Sequence, residues 1–223
     1  AARYGNPAKH LRVIAVTGTN GKTTTVNYIN EILKAGGRRT AMFSTALIEV
    51  AGQRQLNDLN ATVGSTARMQ QFFAEAKRAN VDFVVLEITS HALDQHKLDG
   101  VPIDVAVMTN LTQDHLDYHK TFAAYRDVKK RFFDALPSNA FALVNNDDKN
   151  GAFMLQNTKA QKKTYALKTY SDYKAYIIES RFDGLLLRIN QHEVWTKLIG
   201  EFNAYNLLAV YATATLLGID ELE

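Results

Sequence analysis

Apolar and β-branched residues crowd into Leu11-Arg12-Val13-Ile14-Ala15-Val16 and stop at Thr17-Gly18, the pattern of a buried strand feeding a turn. A helical pattern over residues 23–35 follows and is closed by Gly36-Gly37, which suit a helix C-terminus. Strand formers alternate over 40–50, and 52–64 is polar and predicts a loop. Ser65 then opens an amphipathic helix with Met69, Phe72, Phe73 and Ala76 on one stripe. Residues 81–88 and 103–108 predict two more strands with a polar segment between them, and 121–136 predicts a helix. Another strand at 141–144 and a short helix at 147–156 come next. This alternation predicts an α/β fold, a mostly parallel sheet with helices on both faces. Over 162–199 the pattern changes to short β-rich runs around Asp183-Gly184, which predicts a small antiparallel appendage, and 202–217 closes the chain as a helix. Without an internal repeat or linker, residues 1–223 are expected to form a single domain.

Composition narrows the class. With 46% hydrophobic and 22% charged residues the chain is a folding sequence, not a disordered one. Its 223 residues suffice to bury a core without a covalent staple. The absence of cysteine excludes disulfides, thiol catalysis and cysteine-ligated zinc, and fits a reducing compartment. Lysine and arginine number 26 against 23 acids, and they are scattered, so no nucleic-acid partner is expected. Apolar runs stay at strand length, well short of the roughly 20 residues of a membrane span. The first residues lack a secretory signal's apolar stretch, so a cytoplasmic protein without a membrane partner is expected.

The chemistry begins at Thr17-Gly18-Thr19-Asn20-Gly21-Lys22-Thr23-Thr24, between the first strand and the first helix. Gly18 and Gly21 let backbone N–H groups converge on an anion, and the helix N-terminus adds partial positive charge. Lys22 would reach terminal phosphates and the Thr23 hydroxyl would meet Mg²⁺. The general phosphate-loop spacing places a glycine where this chain has Val16, so the generic motif is incomplete; a solvated lysine after a glycine turn is the plain alternative. Glu87 ends an apolar strand at the edge where α/β sheets bind ligands and could hold Mg²⁺, or could be an ordinary strand-end acid. Asp114, His115, Asp117 and His119 gather after the next strand, where His115 could ligate a second divalent ion or simply line a solvated turn. On the 121–136 helix, Lys129 falls within the stripe of Phe122, Tyr125, Phe132, Phe133 and Leu136. Such a lysine must snorkel, pair with an anion or be modified, and spacing alone favours snorkelling. Lys130 lies off that line and is expected on the surface.

Taken together, residues 17–25, Glu87-Ile88-Thr89-Ser90-His91, Thr109-Asn110-Leu111-Thr112-Gln113-Asp114-His115-Leu116-Asp117, Asn145-Asn146-Asp147-Asp148 and Gly200-Glu201-Phe202-Asn203-Ala204-Tyr205-Asn206 resemble the Mur ligase family, in the family's order. Ser90-His91-Ala92-Leu93-Asp94-Gln95 and the 114–119 segment bring the likeness nearest to its UDP-N-acetylmuramoyl-tripeptide synthetase branch. The resemblance implies the central ATP-binding domain of such a ligase, with the UDP-binding and amino-acid-binding domains outside these residues. It implies ATP-dependent amide ligation: a UDP-N-acetylmuramoyl-dipeptide carboxylate is phosphorylated, an amino acid attacks the acyl phosphate, and phosphate leaves.

Carried over by position, Gly18, Thr19, Asn20, Gly21, Lys22, Thr23 and Thr24 resemble the ATP phosphate site, and Asn206 the adenine contact. Thr23 and Glu87 resemble the ligands of one Mg²⁺, and His115 a ligand of the second. Lys129 aligns with a lysine that the family carbamylates to help hold that second ion, which displaces the snorkelling expectation. Lys22, His115 and Lys129 are thereby the implied catalytic residues. Thr62, Thr89 and Lys97 stand at the implied substrate-binding positions, with departures: Thr62-Val63-Gly64 replaces a usual Thr-Thr-Pro, Thr89 a serine and Lys97 an arginine. Lysine lacks arginine's bidentate fork. The implied partners are small molecules, namely ATP, a UDP-muramoyl peptide and an amino acid, acted on by a monomer. These residues alone are expected to bind nucleotide weakly and not to ligate, because closure assembles such sites. A folylpolyglutamate or cyanophycin synthetase, and a non-catalytic nucleotide-binding module, remain the competing readings.

Overall fold

The computed structural model describes residues 5–58 and 64–219. After a single 3-10 turn at Pro7–His10, the first apolar run forms β1 (Arg12–Thr17) and the following pattern α1 (Lys22–Ala35). Next come β2 (Thr40–Phe43), β3 (Leu47–Val50), β4 (Gln53–Leu56) and α2 (Thr66–Arg78). The middle of the chain supplies β5 (Phe83–Glu87), α3 (Ser90–Asp94), β6 (Val105–Met108), α4 (Leu116–His119) and α5 (Phe122–Asp134). The remainder is β7 (Phe141–Asn145), α6 (Gly151–Met154), β8 (Gln161–Ala166), β9 (Tyr173–Arg181), β10 (Gly184–Ile189), β11 (His192–Thr196) and α7 (Glu201–Leu216).

All the strands join one sheet in the order β11-β10-β9-β8-β7-β6-β1-β5-β2-β3-β4. The block from β9 to β2 is parallel, with β1 at its centre between β5 and β6. Successive residues of these strands enter different cores. Val13, Ala15, Val84 and Leu86 pack with Met69, Phe72 and Phe73 of α2 and Phe133 of α5. Ile14, Val16 and Val85 pack with Val26, Ile29 and Leu33 of α1 and with Ala204 and Leu208 of α7. Covered on both faces, the central strands need apolar residues at every position, which is why they read as continuous runs. Ser65 and Thr121 accept the backbone N–H groups of Arg68 and Ala124, capping α2 and α5.

Three expectations change. The alternating stretch at 40–50 is a hairpin of β2 and β3, and the polar segment after it contributes β4, an exposed edge strand. Arg54 of β4 is drawn in by Glu49, a fully buried carboxylate on β3 that also takes Lys34. The antiparallel appendage starts later than its sequence pattern suggests: β8 is parallel to β7, β9 is parallel to β8, and only the β9–β10 and β10–β11 pairs are antiparallel at that edge. Short β-rich runs report strand preference, not which way a strand runs. The short α3 and α4 lie in segments that read as polar connections, too brief for helical periodicity to register. Among the described residues, no helix is long and apolar enough to cross a membrane.

Phe73 is fully buried where α2 meets the sheet. Phe73→Ala is expected to cost about 3–5 kcal/mol through lost transfer energy and a residual cavity. A urea titration should show a lower midpoint with an unchanged slope.

Candidate functional site

Parallel strands end at one edge of the sheet, and β1, β5 and β6 deliver their following loops there side by side. The loop after β1 is forced into shape at two glycines. Gly18 has φ of 148°, and a Cβ on it would stand 2.0 Å from Thr109 Oγ1. Gly21 has φ of 82°, and a Cβ there would stand 2.3 Å from Asn206 Oδ1. Neither position admits a side chain, so the loop packs directly on the segment after β6 and on α7.

Hydrogen bonds hold the loop in this place. The N–H groups of Thr19 and Asn20 donate to the backbone and side-chain oxygens of Asn110, each at 2.9 Å. Thr109 Oγ1 donates to Asn20 O at 2.7 Å. Thr19 Oγ1 accepts from Thr112 N at 2.9 Å and lies 3.0 Å from the Tyr125 hydroxyl, whose pKa burial pushes up to about 12. Since the amides of Thr19 and Asn20 are engaged, the donors left for an anion belong to the first turn of α1, which no helix satisfies internally. Lys22 heads that turn, with Nζ donating to Thr19 O at 2.6 Å. Burial lowers its pKa, against the pull of Glu87 and Asp114.

The predicted residues converge on this loop. Glu87 is 3% exposed, and its Oε2 accepts from Thr23 Oγ1 and from Thr45 N, both at 2.9 Å. A hydroxyl beside a carboxylate is a hard-oxygen donor pair of the kind Mg²⁺ takes, with phosphate and water completing the shell. Lys129 turns inward, 1% exposed, and donates to Thr17 Oγ1 at 3.0 Å and Gly18 O at 3.2 Å. Its Nζ lies 4.9 Å from the centre of the Tyr125 ring. Burial, helped by the nearby Lys22 charge, lowers its pKa to about 7. Snorkelling is thereby overturned. The surface placement expected for Lys130 is overturned too: it is buried, pairs with Asp134 and lies 5.7 Å from the Phe153 ring centre. The short helix α6, which carries Phe153, covers that flank of α5.

His115 adopts a left-handed backbone, φ 52°, with Nε2 3.5 Å from Asp114 Oδ2. Its ring stands edge-on to His91 at 4.9 Å and to Tyr125 at 6.1 Å, which joins it to the loop through Thr19. His119 is buried, with Nε2 2.9 Å from Ser90 Oγ, and burial lowers the pKa of both His91 and His119. Among the described residues no three His, Asp or Glu side chains converge as a ready-made metal cage.

Thr89 caps α3, its Oγ1 accepting Ala92 N at 3.2 Å, and Lys97 follows in the turn after that helix, its charge helping to depress His91. Thr62 lies outside the described residues. Asn206 is buried on α7 and donates to Asn203 Oδ1 at 3.2 Å. Between Gly21 and Thr24 on one side and Phe202, Tyr205 and Asn206 on the other opens a cleft of about 700 Å³. A second cavity, about 560 Å³ between the 96–103 turn and α5, is mainly apolar, with His96, Asp99 and Arg131 in its lining, and holds none of the predicted residues. Sequence reasoning missed Thr45 and Tyr125 as supports of Glu87 and Thr19. Thr45 was hidden by reading the hairpin as one strand, and Tyr125 carried only a stripe position.

Residues 16–214 match the family model described as the Mur ligase middle domain. The UDP-N-acetylmuramoyl-L-alanyl-D-glutamate--2,6-diaminopimelate ligase of Parabacteroides distasonis is 44% identical over 217 residues, covering 97% of this chain and 44% of that protein. The ligase of the same name from Geobacillus kaustophilus is 39% identical over 227 residues, with 97% and 46% coverage. A solved ligase of that name superposes with a TM-score of 0.81 at 32% identity, over 94% of this chain and 44% of that one. MurF from Acinetobacter baumannii shares the fold, with a TM-score of 0.78 at 23% identity, over 98% of this chain and 46% of its own. The chain spans less than half the length of the relatives it matches.

The lowered pKa of Lys129 has a measurable consequence. Between about pH 7 and its ordinary value of 10.5 the unfolded chain holds a proton that the folded chain lacks, so this group makes stability rise with pH across that window. The expected slope is at most about 1.4 kcal/mol per pH unit, and Lys129→Met should remove it. Parallel stability curves for the two proteins in bicarbonate-free buffer would show that the buried amine titrates normally.

Proposed function

Because the chain belongs to the Mur ligase middle-domain family, we propose that it is the nucleotide-binding, phosphoryl-transferring part of an ATP-dependent amide ligase. Its carboxylate substrate is a UDP-N-acetylmuramoyl dipeptide, extended by one amino acid in peptidoglycan precursor synthesis. The names of the relatives favour L-alanyl-D-glutamate as the dipeptide and diaminopimelate as the amine. The observation that carries this reading is the convergence of Lys22, the Thr23–Glu87 pair and the buried Lys129 on one glycine loop.

The reaction must bring a carboxylate against a triphosphate, two anions that repel. Lys22 and the first-turn N–H groups of α1 neutralise the phosphates and orient the terminal one. Thr23 Oγ1 and the Glu87 carboxylate would supply oxygens to hold one Mg²⁺, and His115 with Lys129 would serve a second; such ions would offset the charge that accumulates during transfer. A substrate carboxylate oxygen attacks the γ-phosphorus, ADP leaves, and the resulting acyl phosphate is attacked by an amine that then loses a proton, expelling inorganic phosphate. Lys129 as a cation would oppose Mg²⁺. With a pKa near 7 it offers a neutral amine that can add to CO₂, losing a proton and becoming a carbamate anion. The enzyme works in this reading as a cytoplasmic monomer, with Thr89 and Lys97 placed just past Glu87 to meet the peptide-bearing substrate.

Phosphate release by the intact protein tests the proposal. ATP, UDP-N-acetylmuramoyl-L-alanyl-D-glutamate and diaminopimelate together should give release that a folate substrate does not stimulate. Lys22→Ala should lower kcat/KM by roughly 10²–10³-fold, the scale of losing one charged stabiliser of the transferring group. Release that ignores the carboxylate substrate would favour a nucleotide module without ligase chemistry.

A further inference from the structure

One segment of the site has no role in the chemistry above, the turn Asn145-Asn146-Asp147-Asp148 that follows β7. Asp147 lies in it at the wall of the 700 Å³ cleft. Its Oδ2 accepts the N–H groups of Leu167 and Lys168 at 2.8 and 2.9 Å, and its Oδ1 accepts Thr169 N at 2.8 Å. The Tyr205 hydroxyl donates to Oδ2 at 2.9 Å. Burial alone would push this carboxyl's pKa up, but the N–H groups of Thr169, Lys168 and Leu167 hold it well below the usual carboxylate range. Four donors nearly exhaust the lone pairs of a carboxylate, so Asp147 has little left to offer a ligand. Its function must lie in what it holds.

It holds two walls of the cleft against each other. The 167–169 turn joins β8 to β9 and carries Lys168, whose Nζ reaches across to Glu201 at the start of α7, 2.7 Å away. Tyr205 sits on α7 beside Asn206, the residue packed against Gly21. The phosphate loop, by contrast, is held by Asn110, Thr109, Thr112 and Tyr125, none of which bonds to Asp147. The two groups of bonds, one under the phosphates and one around the end of the cleft at α7, meet at Asn145, whose Oδ1 accepts Asp147 N at 3.0 Å and whose Nδ2 donates to Thr109 O at 3.3 Å. Among the described residues, the Asp147 carboxylate itself bonds only on the α7 side.

We propose that Asp147 is a positioning residue for the nucleoside end of the ligand: it fixes the 167–169 turn and the Tyr205 ring so that the cleft fits a base and ribose, and leaves phosphate binding to the glycine loop. This rests on the nucleotide reading given above. A charged carboxylate bonded to several N–H groups is a strong, directional clamp, and its loss should loosen both walls together.

Calorimetry on the intact protein with MgATP and with magnesium tripolyphosphate separates the two ends of the site. Asp147→Asn should weaken ATP about tenfold, the scale of losing one charge-assisted clamp, with tripolyphosphate affinity unchanged. Tyr205→Phe, which removes one hydroxyl and keeps the ring, should weaken ATP about threefold on the same scale. Lys22→Ala should weaken both ligands. Hydrogen exchange should speed up at the Leu167, Lys168 and Thr169 amides in Asp147→Asn only. Unchanged ATP affinity in both variants overturns the proposal, as does an equal fall for ATP and tripolyphosphate, which would mean that Asp147 merely supports the fold. A wild-type protein that takes up tripolyphosphate no more weakly than ATP also overturns it. Binding of neither ligand overturns the nucleotide reading itself, and this proposal with it.

Discussion

Everything at the site depends on two close approaches that leave no room for a Cβ. Gly18 rests on Thr109 and Gly21 on Asn206, so the loop after β1 is pressed between the segment leaving β6 and the helix that closes the chain. The fold makes this possible because a parallel sheet brings the ends of β1, β5 and β6 to one edge while α1 and α7 share a face. Glycine at these two places is a steric requirement before it is a chemical one. Once the loop is seated, the open end of α1 and the side chains of Lys22 and Thr23 have a fixed direction.

The electrostatics follow from that seating. Lys129 is buried against neutral acceptors, with Lys22 nearby, and its burial disfavours the cation. Glu87 meets a hydroxyl and a backbone amide. Lys22, by contrast, feels both Glu87 and Asp114, which oppose the effect of its burial. Peripheral acids are treated differently. Asp147 is saturated by N–H and O–H donors, and Glu49 by Arg54 and Lys34, so both act as struts.

The sequence was most informative where one physical signal was strong. Buried on both faces, β1 and β5 announced themselves as unbroken apolar runs, and the glycine loop between strand and helix marked the candidate site. The signal failed where cause and pattern part company. The short β-rich runs of β8 and β9 gave no sign of direction, because local strand preference does not depend on which way the neighbouring strand runs. Short elements such as β4, α3 and α4 left no period to detect. Lys130 looked solvent-facing because helix geometry alone cannot know that Phe153 will cover it.

What the chain fixed by itself was the inventory: which strands are buried, where the loop must hold glycine, and which lysines, acids and imidazoles accompany it. Tertiary structure alone decided which of them meet. Thr23 and Glu87 are 64 positions apart and Lys129 is 112 from Thr17, yet each pair is within hydrogen-bonding distance. Local pattern carries information about periodicity and burial, which act over a few residues. Contacts across such separations depend on strand order and on how helices cover a sheet, properties that no short stretch of sequence contains.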